Sequence, residues 1–132
     1  MSQVASVADY MTQDLITLSP ETAINHAMQL LLDHRISGAP VLDSDCQLVG
    51  VLSKKDCLRA AIEASYYRDW GATVAAHMST NVETLDAGMD ILAAANAFLD
   101  SSYRRFPVME NGRLVGQISR ADALRAMAEN WQ

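Results

Sequence analysis

Gly50-Val51-Leu52-Ser53-Lys54-Lys55-Asp56 is written a second time as Gly116-Gln117-Ile118-Ser119-Arg120-Ala121-Asp122. Each copy sets a glycine before a short apolar strand that ends in serine, with an aspartate three residues on. A serine at that point is a helix N-cap, so each copy reads as strand, cap and helix start. The copies lie 66 residues apart, and upstream of them the register is 67: Pro40-Val41 falls on Pro107-Val108, Ile24 on Ile91, Leu18 on Leu85 and Met11 on Met78. The lost residue belongs to the turn between Asp43 and Leu48, which returns as Glu110 to Leu114. A loss confined to a turn leaves the flanking strands in register, so the chain is two copies of one structural unit.

Worked outward, the first copy begins with a lead, Met1 to Met11, in which Val4, Val7, Ala8 and Met11 make one apolar edge, as Val74, Ala75 and Met78 do in the second half. Leu15 to Leu18 reads as a short strand. Ser19 as N-cap, Pro20 at N1 and Glu21 in the first turn predict a helix over Pro20 to His34, with Ile24, Ala27, Met28 and Leu31 buried and Ala23 and Leu30 widening the stripe. It should exit near Ile36 to Gly38, where glycine permits the turn. Gly38 to Leu42 and Leu48 to Leu52 form a hairpin around Asp43-Ser44-Asp45. Ser53 then caps a helix to about Ala64, with Leu58, Ala61 and Ile62 at apolar spacing.

The second copy repeats the order. Val82 to Leu85 is a strand, and Asp86 takes the cap role. Ile91, Ala94, Ala95 and Phe98 line the helix, whose first turns Gly88 should weaken by up to about 1 kcal/mol. Arg105 to Met109 and Leu114 to Ile118 pair across Asn111-Gly112, and a helix runs from Ser119 to about Glu129. The aromatic-rich stretch Glu63 to Ala76, with Tyr66, Tyr67 and Trp70, is expected along the seam between units. Residues 1–66 and 67–132 are then two domains of order β-α-β-β-α, an α/β (α+β) fold, packed together around a pseudo-two-fold axis because neither unit buries both sheet faces alone.

Size and charge bound the rest. A chain of 132 residues buries about two thirds of its extended surface on folding, whereas a half of about 65 residues is marginal alone. The net charge of −6, from ten basic and sixteen acidic residues, argues against a general nucleic-acid backbone binder and leaves room for a small anion in a local basic site. Cys46 and Cys57 have no metal-like spacing and read as buried or half-buried thiols. No basic-then-apolar leader and no membrane-length apolar run is present, so a cytoplasmic protein is expected.

The doubled Gly-x-x-Ser-x-x-Asp stretch, each time preceded by a Pro-Val strand and headed by Met11 or Met78, resembles the tandem CBS-domain pair, or Bateman module, over roughly Val4 to Ala126. The resemblance implies sheet surfaces at the interface between units, two clefts related by the axis, and a flat homodimer of two pairs. It also implies an adenosyl ligand (AMP, ADP, ATP, S-adenosylmethionine or NAD), with the hydroxyl on phosphate, the aspartate on ribose, and the base between the first strand and the segment before Pro-Val.

The residues themselves admit two readings of Ser53/Asp56 and Ser119/Asp122. One is a capping box that protects the helix start. The other is a nucleotide site, in which free helix N–H groups attract phosphate and the carboxylate accepts from ribose hydroxyls. The two are compatible. Lys54, Lys55 and Arg120 follow the serines, and Arg35, Arg104 and Arg105 precede the hairpins; convergence of several would neutralise a phosphate. Thr17-Leu18, Ser37-Gly38-Ala39-Pro40 and Val51 offer a purine slot, matched by Thr84-Leu85, Arg105-Phe106-Pro107 and Gln117. Because Ala39 becomes Phe106 and Gly38 becomes Arg105, the slots are unequal, with Phe106 expected to fill part of the second cleft.

Catalysis finds no support. His26, His34 and His77 share no repeated ligand geometry, Gly50 and Gly116 lie in no phosphate loop, and no nucleophile or protein-only metal site is visible. The glycines instead suggest close contact, where a β-carbon would collide with the opposing unit. A non-enzymatic regulatory adenine-nucleotide binder acting on a separate protein is the favoured reading, and a ligand-free dimerisation or protein-interaction module is the alternative.

Overall fold

In a computed structural model of the chain, residues 5–68 and 71–131 are described. Val4 and Trp70, assigned above to the lead and to the seam, lie outside them. Two compact units are formed, one from Ile16–Val82 and the other from Met1–Leu15 with Glu83–Gln132. Each has the strand-helix-strand-strand-helix order. In the Ile16–Val82 unit, Leu18 bridges in parallel onto Val41 in the place of a first strand. Helix α2 (Ile24–Asp33), the antiparallel hairpin β1 (Gly38–Leu42) and β2 (Leu48–Ser53), and helix α3 (Lys54–Tyr67) follow. In the other unit β3 (Leu85–Asp86) runs parallel to β4 (Arg105–Glu110), which pairs antiparallel with β5 (Arg113–Ser119), and helices α5 (Ile91–Leu99) and α6 (Arg120–Glu129) cover this sheet.

The units do not follow the boundary between the repeats. The lead of the first copy, helix α1 (Val7–Tyr10), packs in the unit made of the second, and α4 (Val74–His77), at the head of the second copy, packs in the unit made of the first. Domains drawn at 1–66 and 67–132 therefore exchange their leading segments. The anchors are Val7 and Val74, both fully buried, each among the core residues of the unit that receives it.

That exchange moves the helix starts. Val74 N–H donates to Thr22 O and Ala75 N–H to Pro20 O, each at 2.9 Å, and Ile24 N–H donates to Ala72 O at 3.0 Å. In the other unit Val7 N–H reaches Met89 O at 2.8 Å, Ala8 N–H reaches Ala87 O at 3.0 Å and Ile91 N–H reaches Ala5 O at 2.8 Å. Carbonyls that an earlier helix start would use internally are thus taken by the arriving segment, so α2 begins at Ile24 and not Pro20. Ser19 and Thr22 close a turn instead of a cap. In the second unit Asp90 is the N-cap, accepting from Ala93 N–H at 2.8 Å. Asp86 accepts from Gly88 N–H in the preceding turn, which puts Gly88 outside the helix it was expected to weaken.

Other differences have local causes. Helix α2 exits through Arg35 in a left-handed conformation (φ 54°), while Gly38 is the first residue of β1. Helix α3 buries Cys57, Ala60 and Ala64, leaving Leu58 and Ile62 exposed. It continues to Tyr67, so Tyr66 and Tyr67 lie on the surface of a helix and not in a packed connection. The hairpin turns differ as the lost residue requires. Asp43 Oδ1 accepts from Asp45 and Gln47 N–H across the longer loop, whereas Asn111-Gly112, both at positive φ, closes the shorter one.

Gly50 and Gly116 are places where no side chain fits, and the neighbour belongs to the same compact unit. A β-carbon at Gly50 would lie 2.6 Å from Met78 Sδ and 2.9 Å from Ser79 O; at Gly116 it would lie 2.6 Å from Met11 Sδ and 2.8 Å from Thr12 O. Paired backbone bonds hold this approach, Val51 with Ser79 and Gln117 with Thr12.

Among the described residues, no helix is long and apolar enough to cross a membrane. Gly50→Ala and Gly116→Ala should each cost about 1–3 kcal/mol in urea unfolding, because part of each obstruction is backbone. Val7→Asp should strip hydrogen-exchange protection from residues 83–131, and Val74→Asp from residues 16–68. The reverse assignment would contradict the exchange.

Candidate functional site

Both serine-aspartate pairs fold into complete capping boxes. Ser53 Oγ accepts from Asp56 N–H at 3.1 Å and Ser53 N–H donates to Asp56 Oδ2 at 2.9 Å. Ser119 and Asp122 repeat these bonds at 3.1 and 2.9 Å. The loose helix mouth expected for an anion is partly closed. Lys54 N–H donates to Ser37 O at 2.8 Å and Arg120 N–H to Arg104 O at 2.9 Å, so the first and third N–H groups of α3 and α6 are engaged.

The hairpins bring the remaining candidates beside the boxes. Gly38 faces Ser53 across β1 and β2, and Pro40 faces Val51; Arg105 faces Ser119 across β4 and β5, and Pro107 faces Gln117. Leu18 is tied to β1 on both sides, donating to Pro40 O at 2.9 Å and accepting from Leu42 N–H at 2.8 Å. Leu85 runs alongside Val108. The exposed Thr17 and Thr84 immediately precede these two leucines.

The two-residue period of a strand sorts the side chains by face. Ala39 and Val41, like Phe106 and Val108, belong to the cores under the helices. The face away from the core carries Gly38, Pro40, Val51 and Ser53 in one unit and Arg105, Pro107, Gln117 and Ser119 in the other. Phe106 is therefore not on that face. Its ring packs 4.8 Å from Phe98 and 5.4 Å from Tyr103, centroid to centroid, inside its own core. Ala39, Leu18 and Leu85 are likewise core residues and can offer a ligand only backbone.

The CBS-domain profile matches residues 7–63 and 74–129, nearly all of the chain. The chain belongs to the CBS-domain family. It is 26% identical over 125 residues to an uncharacterised protein of Methanocaldococcus jannaschii and 29% identical over 153 aligned positions to CBSX1, a chloroplastic CBS-domain protein of Arabidopsis thaliana. These matches span 95% of the chain in both cases, but only 44% and 65% of the two relatives. Among solved structures it is similar to CBSX2, from Arabidopsis thaliana, in complex with AMP: TM-score 0.83, 28% identity, covering 97% of this chain and 99% of that one.

Within each CBS unit the aspartate has a second partner that the sequence reading passes over. Arg59 Nη1 lies 3.3 Å from Asp56 Oδ1 and Arg125 Nη1 lies 3.2 Å from Asp122 Oδ1. The signal was available, since Asp-x-x-Arg recurs in both copies. Exposed pairs of this kind contribute about 0–1 kcal/mol and hold the carboxylate without exhausting it. A carboxylate has about four acceptor positions, and box plus arginine use two.

Arg104, Arg105 and Arg120, by contrast, face no carboxylate partner among the described residues. Arg120 Nε donates to Tyr103 O at 3.0 Å, while Arg105 Nε is buried with no hydrogen-bond partner.

Beside Asp56, Cys57 is buried, and burial first and the Asp56 charge second push its thiol above the ordinary value. Cys46 is exposed in the β1–β2 turn, where the sequence pattern implies burial. An Ellman titration of the native chain should find Cys46 reacting promptly and Cys57 only on unfolding. Ser53→Ala and Ser119→Ala should each lower stability by about 1 kcal/mol, read by urea unfolding.

Proposed function

We propose that this CBS pair binds an adenosyl ligand on the core-averted sheet face beside each capping box, and that binding regulates a separate protein. The carrying observation is a carboxylate fixed beside the end of a hairpin in each unit, its remaining acceptor positions suited to vicinal ribose hydroxyls. The backbone at Leu18 and Leu85 and that before Pro40 and Pro107 supply the edge against which a base would lie. Lys54 in one unit and Arg104, Arg105 and Arg120 in the other supply the cations a phosphate needs. The AMP complex of CBSX2, which resembles this chain over nearly its whole length, supports the ligand class.

Regulation follows from differential binding. A ligand that prefers one conformation or assembly shifts the population toward it by no more than that preference. The reading is regulatory and not catalytic, and a cytoplasmic setting stays part of it. A homodimer belongs to it as well. Leu58, Ile62 and Tyr66 form an exposed i, i+4, i+8 stripe on α3, and Leu124 is exposed at the place in α6 that Leu58 holds in α3. Apolar side chains at that spacing on consecutive turns suit a second copy's helices.

The alternative, a ligand-free interaction module, draws on the same stripe and on boxes already complete without ligand. Calorimetry of the full chain with AMP, ATP and S-adenosylmethionine separates the two: saturable heat is expected with at least one, and none with any adenine compound favours the alternative. Asp56→Asn retains an oxygen for Ser53 N–H but loses the charge. It should weaken binding at its unit by about tenfold while unfolding shifts little. Unchanged affinity in this variant and in Asp122→Asn would reject the ribose role.

A further inference from the structure

The lead that docks in the unit containing Glu83–Gln132 is held as a receptor holds a peptide. Thr12 N–H donates to Gln117 O at 2.8 Å and Thr12 O accepts from Gln117 N–H at 2.9 Å, on the outer edge of the sheet β3-β4-β5. An extended segment added to a free sheet edge is a common mode of peptide recognition. Three side chains then fill three places. Val7 is fully buried in the core, Met11 covers Gly116, and Tyr10 is clasped at the end of α6. The Tyr10 hydroxyl donates to Glu129 Oε2 at 2.7 Å and accepts from Asn130 Nδ2 at 3.0 Å, and the Arg125 guanidinium stands 5.5 Å from the centre of the ring.

The twin segment carries a different side chain at the clasp. In register, His77 stands for Tyr10 and Ala64 for Asn130, while Glu63 and Arg59 keep the places of Glu129 and Arg125. The two grooves share a valine pocket and a glycine slot and differ in the residue taken between them. The connector is bare: Gln13 to Thr17, which lead from the docked segment to Leu18 of the other unit, make no hydrogen bond among the described residues. The same segment from another copy makes every bond the resident one makes. Exchange therefore loses no contact, and what opposes it is the high effective concentration of the chain's own segment.

We propose that the unit containing Glu83–Gln132 is a receptor for the segment Val-x-x-Tyr-Met, and that the lead of a second copy of this chain occupies it by exchange with the resident one. This link between copies is separate from the exposed stripe of α3 and needs no ligand.

The test follows amide exchange in isotopically labelled full-length Val7→Asp, whose own lead is expelled from the core. It is measured alone, with a synthetic peptide of residues 4–14, and with an unlabelled full-length copy carrying Gly116→Leu, whose lead is intact and whose groove is blocked. The peptide and the second copy should each restore protection to residues 83–131. A peptide carrying Tyr10→Phe, and one of residues 71–81 with His77 at the clasp, should each need about tenfold more to do so. Tyr10→Ala, which opens the clasp and leaves Val7 in place, serves as the acceptor if Val7→Asp does not fold. Protection restored by neither partner overturns the receptor. Restoration by the peptide and not by the second copy overturns the exchange, and equal potency of the three peptides overturns recognition of the tyrosine.

Discussion

Each sheet in this protein admits a methionine where a β-carbon would otherwise stand. Gly50 lies under Met78 and Gly116 under Met11, each contact locked by a pair of backbone hydrogen bonds from the residue that follows the methionine to the residue that follows the glycine. The segment held in this way comes from the other repeat. Once it is held, its N–H groups meet the carbonyls of Pro20 and Thr22, or of Ala87 and Met89, and so decide where the next helix begins. The buried valine of the same segment then completes the core. Glycine, methionine, valine and helix start are one constraint, and it is met twice.

This constraint also explains what the sequence discloses. Local chemistry is legible: Ser-x-x-Asp announces the caps of α3 and α6, Asn111-Gly112 announces a two-residue turn, and period-two apolar runs announce both hairpins. The start of α2 is not, because the donors to Pro20 and Thr22 come from Ala75 and Val74, far along the chain, and override the cap signal at Ser19-Pro20. The buried face of α3 misleads for a different reason. Two apolar stripes coexist on it, and the one with larger side chains, Leu58 and Ile62, faces outward, while the sheet accepts only the small Cys57, Ala60 and Ala64.

The candidate site was legible as a set of positions more than as a set of surfaces. The sheet register does bring Gly38, Pro40 and Ser53 together, and Arg105, Pro107 and Ser119 in the twin. Phe106 looks like a stacking partner by its place in the motif, yet strand alternation turns it into the core beside Phe98. The repeats compensate there: where the second has Phe98 and Phe106, the first has Leu31 and Ala39, and where the second has Ala95 and Ala97 the first has Met28 and Leu30. The inequality that reaches the outer face is one of charge, with Arg105 opposite Ser119 where the first unit has Gly38 opposite Ser53.

A carboxylate that caps a helix and still has acceptor positions to spare is the chemistry on which the functional account turns. The most direct test is an amide-resolved NMR titration of the isotopically labelled full chain with AMP. The account predicts shifts concentrated at Thr17-Leu18, Ser37 to Pro40 and Ser53 to Asp56, or at their counterparts Thr84-Leu85, Arg104 to Pro107 and Ser119 to Asp122. Saturating shifts confined to the outer helical stripe of Leu58, Ile62 and Tyr66, with both boxes silent, would contradict it.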